Sequence, residues 1–415
     1  MPKPRKILIV SQYFWPEHFR INELATLLAG RGHGVTVLTG IPNYPQGTVF
    51  TDYAADPARF ARYGDVGIVR VPMTVRGRGS LRLALNYASF AVSAAVLGAW
   101  RLRGQAFDAV FVFQTSPATV GLPAALLARM KRAPMLFWVL DCWPETLSAV
   151  GATRNRAVLG AVGAMVRFIY ARSALILGQS KSFIDNVTRY GDAARFRHFP
   201  NWVEAGDADP VAGTAPRLPA APGIFTIMFA GNIGEAQDFP AILDAAAMLR
   251  DAPVRWIIVG DGRDADAVRA GIAARGLAAQ VRMLGRHPPE TMPGLFAQAD
   301  ALLVSLKADP LFAMTVPGKL QSYLAAGKPV LAMLDGEGAA TVREAGAGLA
   351  SAAGDSAALA ANVRVMMALR ATAAAAMGRD GRAYAAANYD RETLVDRLEG
   401  WLGEVLAPDT SGGRR

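Results

Sequence analysis

The sequence predicts an α/β protein built from two parallel-sheet domains. Three observations carry that expectation. Short apolar runs of strand length alternate with helical stretches in both halves of the chain, the pattern of a parallel sheet covered by helices. Residues 204–223, EAGDADPVAGTAPRLPAAPG, are rich in Ala, Pro, Gly and Asp, lack apolar periodicity and separate the two series. The 415 residues also exceed what one core usually covers. The expected division is a first domain over 1–203, a linker over 204–223 and a second domain over 224–385. A C-terminal segment, 386–415, is expected to pack its helix back on the first domain and to end in a frayed tail.

KILIVSQYF (6–14) opens the first domain as a strand. Residues 23–31 follow as a helix with Leu24, Leu27 and Leu28 on its apolar face, and VTVLTG (35–40) is the next strand. The loop between, YFWPEHFRIN, lies at the carboxyl end of the first strand, where open α/β sheets bind ligands. It holds no GxGxxG, so the dinucleotide fingerprint is missing. Glu17 and Arg20 are candidate ligand contacts or, more blandly, helix-start charges; His18 reads as a solvated loop residue. GIPNYPQGTVF (40–50) is turn-rich, 67–73 a strand, and VRGRGSLR (75–82) a flexible basic loop.

Residues 83–100, LALNYASFAVSAAVLGAW, carry no charge and are flanked by Arg78, Arg82, Arg101 and Arg103. Length makes this a marginal membrane span. The basic flanks at both ends give no topological bias, and Asn86, Ser89 and Ser93 interrupt the apolar run. A helix of the first domain, partly buried, with an apolar side and arginines touching a membrane surface, fits better; a fully buried helix is the plain alternative. AFDAVFVFQ (106–114) and PMLFWVL (134–140) are further strands. Asp141, Trp143 and Glu145 follow the second of these; two carboxylates beside a tryptophan can orient sugar hydroxyls, or simply begin a helix. Residues 149–173 read as a helical stretch, 174–180 as a strand and 195–203 as a last short strand and turn.

Four strand ends stand out in the second domain. FTIMFAGNIG runs into Gly231, Asn232 and Gly234, whose backbone can approach a phosphate closely. VRWIIVGDG ends on Gly260, Asp261 and Gly262, a tight turn beside which a ribose or base can lie. VRMLGRHPP ends on Arg286, with prolines that can flank a base. ALLVSL (301–306) precedes DPLFAMTVPGKLQSYLAAGKPV (309–330), read as a loop, a helix starting at Pro317 and stopping at Gly327, and a strand resuming at Pro329. Pro317, Gly318 and Lys319 then form a helix start whose free N–H groups, dipole and lysine favour an anion. Each signal alone is an ordinary turn; four consecutive strand ends point to a nucleotide.

Composition narrows the classes. Residues 1–205 carry 24 Lys+Arg against 11 Asp+Glu, a net of +13, whereas 206–415 carry 20 against 23, a net of −3. The basic half implies an anionic partner, a membrane surface or phosphorylated substrates. Nucleic acid is not expected, since no binding motif or aromatic-interleaved basic stretch is present. The single cysteine, Cys142, excludes an internal disulfide and suits a reducing compartment. The histidines are scattered and no metal-ligand spacing occurs. The N-terminal apolar run is too short for a signal peptide, so a cytoplasmic protein is expected.

GNIGEAQ, VGDG and PGKLQSYLAAGKPV, with SQYFWPE, RGHGVTVLTGIPNYP and DCWPETL from the first half, resemble retaining glycosyltransferases of family 4 over nearly the whole chain. The similarity is greatest to the bacterial colanic-acid and O-antigen fucosaminyltransferase type. The resemblance implies a GT-B fold, two Rossmann-like parallel-sheet domains facing an interdomain cleft. It implies a metal-independent, retaining hexosyltransferase without a cofactor, moving a sugar from a UDP-sugar, N-acetyl-L-fucosamine for the subgroup, to a polyprenyl-diphosphate-linked saccharide. Such an enzyme would be peripheral on the inner face of the plasma membrane and serve O-antigen, capsule or exopolysaccharide synthesis.

On this resemblance the donor contacts are Gly231, Asn232, Gly234, Gly260, Asp261, Gly262, Arg286, Pro317, Gly318 and Lys319. The acceptor contacts are Tyr13, Trp15, Glu17, Arg20, Arg76, Arg78, Asp141, Trp143 and Glu145. Lys319, Asp309, Glu17 and Asp141 are the catalytic candidates. The acceptor hydroxyl would attack the face the diphosphate leaves, the leaving phosphate helping to take the proton, with Lys319 and the helix dipole balancing its charge. Two departures stand out. Ser322 occupies the place of a glutamate that usually holds the donor ribose, with Asp309 the acidic residue available for the earlier, sugar-facing glutamate. No basic residue occurs between Gly231 and Arg250, where relatives carry Arg and Lys, leaving Arg76 or Arg78 as possible helpers. A hydrolysing UDP-sugar 2-epimerase and a non-enzymatic nucleotide-sugar-binding scaffold are the alternative readings.

Overall fold

The structure is a computed structural model; it describes residues 3–77, 79–149, 151–203, 215–369 and 371–407. The chain forms two compact units, Met1–Pro200 with Glu392–Arg415, and Asn201–Arg391. Arg78 and most of the 204–223 segment lie outside the described residues.

The first unit holds an eight-stranded sheet. Its strands are β1 (Lys6–Ser11), β2 (Gly34–Gly40), β3 (Arg62–Tyr63), β4 (Val66–Val71), β5 (Ala109–Gln114), β6 (Met135–Val139), β7 (Leu175–Gly178) and β8 (Phe196–His198). They lie in the order β3-β4-β2-β1-β5-β6-β7-β8, all pairs parallel except β3 with β4. ILIV in β1 and MLFWV in β6 are buried along their length, as strands covered on both faces must be. The order reverses at β1, between β2 and β5. That topological switch point puts the loops after β1 and β5 side by side.

Residues 80–101 form one continuous helix with a π-helical turn at Ala94–Gly98. One face lies on the sheet: Asn86, Phe90, Ala94 and Gly98 are buried, and a Cβ on Gly98 would stand 2.8 Å from Leu38 Cδ2. The opposite face exposes Leu81, Leu85, Val92, Val96 and Trp100. The C-terminal helix Arg391–Leu406 buries Leu394, Val395, Leu398 and Leu402. Its acids Glu392, Asp396 and Glu399 all pair with Arg31, and Glu399 also meets His33 at 2.7 Å.

The second unit holds six parallel strands, β9 (Phe225–Ala230), β10 (Val254–Val259), β11 (Val281–Gly285), β12 (Ala301–Ser305), β13 (Val330–Met333) and β14 (Gly348–Ser351). Their order is β11-β10-β9-β12-β13-β14. The reversal falls between β9 and β12, so the Gly231 loop and the chain leading to Lys319 emerge beside each other. Two buried clusters, one on each face, hold this sheet, around Phe229 and Trp256 on one side and Tyr323 and Phe296 on the other.

Two details of the 309–330 stretch differ from the sequence-based expectation. The expected loop contains a short helix, Pro310–Ala313, because Asp309 accepts a hydrogen bond from Leu311 N–H at 2.8 Å and caps it. Pro317 is the N-cap (φ −61, ψ 133) rather than the first helical residue, so the helix runs Gly318–Ala326. Gly327 ends it at φ 67, the left-handed position that favours glycine.

Candidate active site

At the carboxyl end of the second sheet the walls are mostly backbone. Gly231 has φ 138, and a Cβ there would stand 3.0 Å from Lys319 Nζ. Gly260 has φ 133, and a Cβ there would stand 1.9 Å from the Gly231 carbonyl oxygen. Both positions therefore require glycine. The two loops are laced together: Gly231 N–H donates to Val259 O, Ile233 N–H to Asp261 O and Gly260 N–H to Gly285 O. Tyr323 Oη accepts from Ala230 N–H at 2.8 Å and donates to Ala230 O at 3.1 Å. This fixes the Lys319-bearing helix on the end of β9.

Lys319 Nζ is buried and has no hydrogen-bond partner among the described residues. It lies 3.7 Å from the centroid of the Phe229 ring, a cation–π contact. Burial pushes its pKa down to about 7. No side chain caps the helix start, and Gly318 is exposed with nothing where its Cβ would be. A buried ammonium without such a partner, beside a helix start that no side chain caps, suits an anion. Asn232, Asp261 and Arg286, each just past a strand of this sheet, are exposed, Asp261 accepting from Gly262 N–H at 2.8 Å. Gly234 N–H donates to Gln237 Oε1 at 3.1 Å.

Asp309 spends one carboxylate oxygen on its helix cap, so the acid expected to face the sugar is first of all a structural residue. Lys307, just past β12, was missed in the sequence. Its N–H donates to Ala236 O and its Nζ meets Glu235 at 3.2 Å, bringing a basic residue to the loop whose own sequence lacks one. A residue two past a strand end is recognisable in sequence; its reach to a loop seventy positions earlier is not.

The first unit's strand ends are furnished by side chains. Glu17 is 2% exposed, and its Oε1 accepts from Asn43 N–H (2.8 Å) and Tyr44 N–H (2.7 Å), its Oε2 from Phe14 N–H (3.2 Å). Burial nevertheless raises its pKa to about 7. Glu17 thus clamps the loops after β1 and β2, a holding role beside the catalytic and acceptor-contact roles expected of it. Glu145 is likewise engaged, by Asn186, Arg189 and Tyr190 of the helix Ile184–Tyr190. Arg20 stands 3.8 Å from Glu23, and Trp15 packs on Phe60 and Tyr63 while its carbonyl accepts from Arg70.

Tyr13 and Arg76 come together, and Asp141 sits beside Ser116. Arg76 donates to Tyr13 Oη at 3.4 Å and lies 5.3 Å from the Tyr44 ring centroid. Asn86 Oδ1 accepts from Gln12 Nε2 at 2.8 Å and from Tyr13 Oη at 3.3 Å, tying the 80–101 helix to this corner. Burial raises the Asp141 carboxyl to about 6, opposed by a hydrogen bond from Ser116. Ser116 in turn accepts from Trp143 Nε1 at 3.3 Å. Tyr87 feels both Arg76 and Asp141 electrostatically. Asn43, Tyr87 and Ser116 were not singled out in the sequence, and Asn86 was noted only for interrupting an apolar run; Ser116 carried a positional signal, two residues past β5. Among the described residues no group of three or more His, Cys, Asp or Glu is placed to hold a metal ion.

A family model described as "Glycosyl transferase 4-like domain" matches residues 18–202, and one described as "Glycosyl transferases group 1" matches 224–368. The colanic acid biosynthesis glycosyl transferase WcaI of Escherichia coli is 29% identical over 340 residues, 78% of this chain and 81% of its own. The glycosyltransferase WbjE of Pseudomonas aeruginosa is 26% identical over 53% of this chain and 56% of its own. Among solved structures, Anabaena HepE in complex with UDP superposes with a TM-score of 0.71 at 15% identity, covering 96% of this chain and all of that one. WaaG, a glycosyltransferase involved in lipopolysaccharide biosynthesis, gives 0.61 at 15% identity, covering 95% and 99%. The two parallel-sheet units have the GT-B fold of these structures, and the chain belongs to the group 1 glycosyl transferases.

Proposed function

We propose that this protein is a metal-independent, retaining glycosyltransferase of family 4 that uses a UDP-sugar. The acceptor is a polyprenyl-diphosphate-linked saccharide presented at the cytoplasmic face of the membrane, in bacterial surface polysaccharide synthesis. N-acetyl-L-fucosamine is the first donor sugar to test, on the likeness to the colanic-acid and O-antigen type. The observation that carries the proposal is Lys319: a buried ammonium without a partner, at the switch point of the second sheet, against a glycine that leaves room for it. A diphosphate satisfies that cation and the open helix start together. As the sugar–phosphate bond breaks, charge grows on the leaving oxygen, and both groups stabilise it more than they stabilise the ground state.

The acceptor side rests on the first unit. Asp141, with its raised pKa and its single Ser116 hydrogen bond, orients the incoming hydroxyl, while Tyr13, Tyr87 and Arg76 bind the saccharide. The basic charge of this half and the apolar face of the 80–101 helix support a membrane-borne acceptor. HepE binding UDP and the names of WcaI and WaaG support the same donor and pathway class.

The test is incubation of the purified enzyme with UDP-sugars and lipid-linked acceptor, reading UDP release and product. Transfer with inversion, or dependence on a divalent ion, would overturn the mechanism. Sugar released without acceptor would make the protein an epimerase, and binding without transfer a scaffold.

A further inference from the structure

At the amino end of the first sheet, opposite the candidate active site, lies a concavity of about 640 Å³. Its walls include Pro134, Met135 and four arginines, Arg129, Arg132, Arg172 and Arg195, and no carboxylate. Arg195 donates to Ala171 O and Ser173 O, satisfying the end of the helix Arg156–Arg172, and Arg172 stacks 3.6 Å from the Phe168 ring centroid. The guanidinium groups of Arg129 and Arg132 have no partner among the described residues. Arg132 moreover holds a φ of 53 at the end of the helix Gly121–Lys131, a position that favours glycine. Two helix ends point their negative poles here, about −0.5 charge each. Against four guanidinium groups, one of them also 3.8 Å from the Asp192 carboxylate, this leaves a local excess of roughly two positive charges.

The surroundings say what the anion belongs to. The helices over 80–101, 121–131 and 156–172 follow β4, β5 and β6, step across the sheet in one direction and cover one face, the middle one packing on both others. None of the three contains an acidic residue. They expose Leu85, Val92, Val96, Trp100, Met130 and Phe168. An apolar, acid-free helical face ending in an arginine-lined hollow matches a bilayer whose headgroups are anionic.

We propose that this hollow seats the phosphate of an anionic phospholipid headgroup when the three-helix face rests on a membrane. This rests on the membrane-facing reading of the first unit and adds a lipid preference and its site. The test is flotation of the full chain with vesicles of phosphatidylcholine alone or with added phosphatidylglycerol. Wild type is expected to favour the anionic vesicles, the preference fading with salt. Arg129→Gln/Arg132→Gln is expected to lower affinity for anionic vesicles roughly thirtyfold, leaving neutral-vesicle binding, melting temperature and UDP binding unchanged. Arg129→Lys/Arg132→Lys is expected to retain most of the preference. Val92→Ser/Val96→Ser is expected to weaken binding to both vesicle types. Equal wild-type binding to both vesicle types, or a glutamine variant that keeps the preference, overturns the headgroup site and leaves the membrane reading standing. Wild type that floats with neither overturns both. Thermal stabilisation by inorganic phosphate that the glutamine variant loses, without vesicle binding, reassigns the hollow to free phosphate and also overturns the proposal.

Discussion

The two units put their switch points to different uses. At the first, between β1 and β5, buried side chains satisfy one another: Glu17 takes three backbone amides, Asn86 holds Gln12 and Tyr13, and Ser116 bridges Trp143 and Asp141. At the second, between β9 and β12, the walls are glycine backbone, and the buried charge of Lys319 has no partner among the described residues. A polar pocket with most groups paired and Gln12 Oε1 left open suits a neutral polyhydroxyl group, which exchanges hydrogen bonds without bringing a charge. An unsatisfied cation suits an anion, whose arrival removes a standing electrostatic cost. The same sheet topology thus offers two chemically different settings.

The largest test of that contrast is Lys319→Met. Activity is expected to fall by about 10²–10³ in kcat/KM, as when one oxyanion donor is removed. The ligand-free protein is expected to be as stable as wild type or more so, because a buried unpaired charge has gone. Steady-state kinetics and calorimetric melting read the two effects; loss of both activity and stability would make Lys319 structural. Gly260→Ala comes next, at about 3 kcal/mol of destabilisation, since its Cβ collides with the Gly231 carbonyl and the residue must hold φ 133. Denaturant unfolding measures it.

The titrations run in opposite senses in the two units. Between pH 7 and its ordinary value, unfolded Lys319 binds more protons than folded Lys319, so its contribution to stability rises with pH across that window. Binding a diphosphate reverses the preference, so UDP affinity is expected to fall as pH rises above about 7, with proton uptake visible by calorimetry in buffers of different ionisation heat. A flat affinity profile would count against the lysine–phosphate contact. Asp141 and Glu17 are raised, to about 6 and about 7. Their contributions are present below the ordinary carboxyl range and are lost as pH climbs through these values. Asp141→Asn is expected to abolish a pH dependence of kcat/KM centred near 6 and to cost about tenfold or more in rate. Glu17→Gln is expected to cost about 1–2 kcal/mol, one backbone amide losing its acceptor, with little change in kcat. A large kcat loss there would restore Glu17 to the chemistry. Gly318→Ala is the smallest effect, within about 0.5 kcal/mol, since nothing occupies the space of its Cβ.

The strand ends of the second unit were legible because their signals are local. A glycine directly after an apolar run, or a proline–glycine–lysine at a helix start, states its chemistry within a few residues, and the structure brings Gly231, Gly260 and Lys319 together. The strand ends of the first unit were less legible because their bonds reach across 26 to 74 positions, Glu17 to Asn43 and Gln12 to Asn86. Nothing near Glu17 in the sequence says that its carboxylate will be consumed by a neighbouring loop, and nothing near Asp141 names Ser116. The short helix at 310–313 was missed for a different reason. One turn capped by Asp309 is too brief to show a period.

By itself, then, the sequence determined the alternation of strands and helices, the two-sheet architecture and the glycosyl transferase family. Apolar periodicity and glycine placement are properties of short windows. Only the tertiary structure decided which charged residues are spoken for. Strand order brings β12 beside β9 and so sets Lys319 against Gly231, and it brings the loops after β1 and β2 together around Glu17. Whether a buried charge ends up paired or open to a ligand depends on those long-range neighbours, and with it the division between scaffold and site.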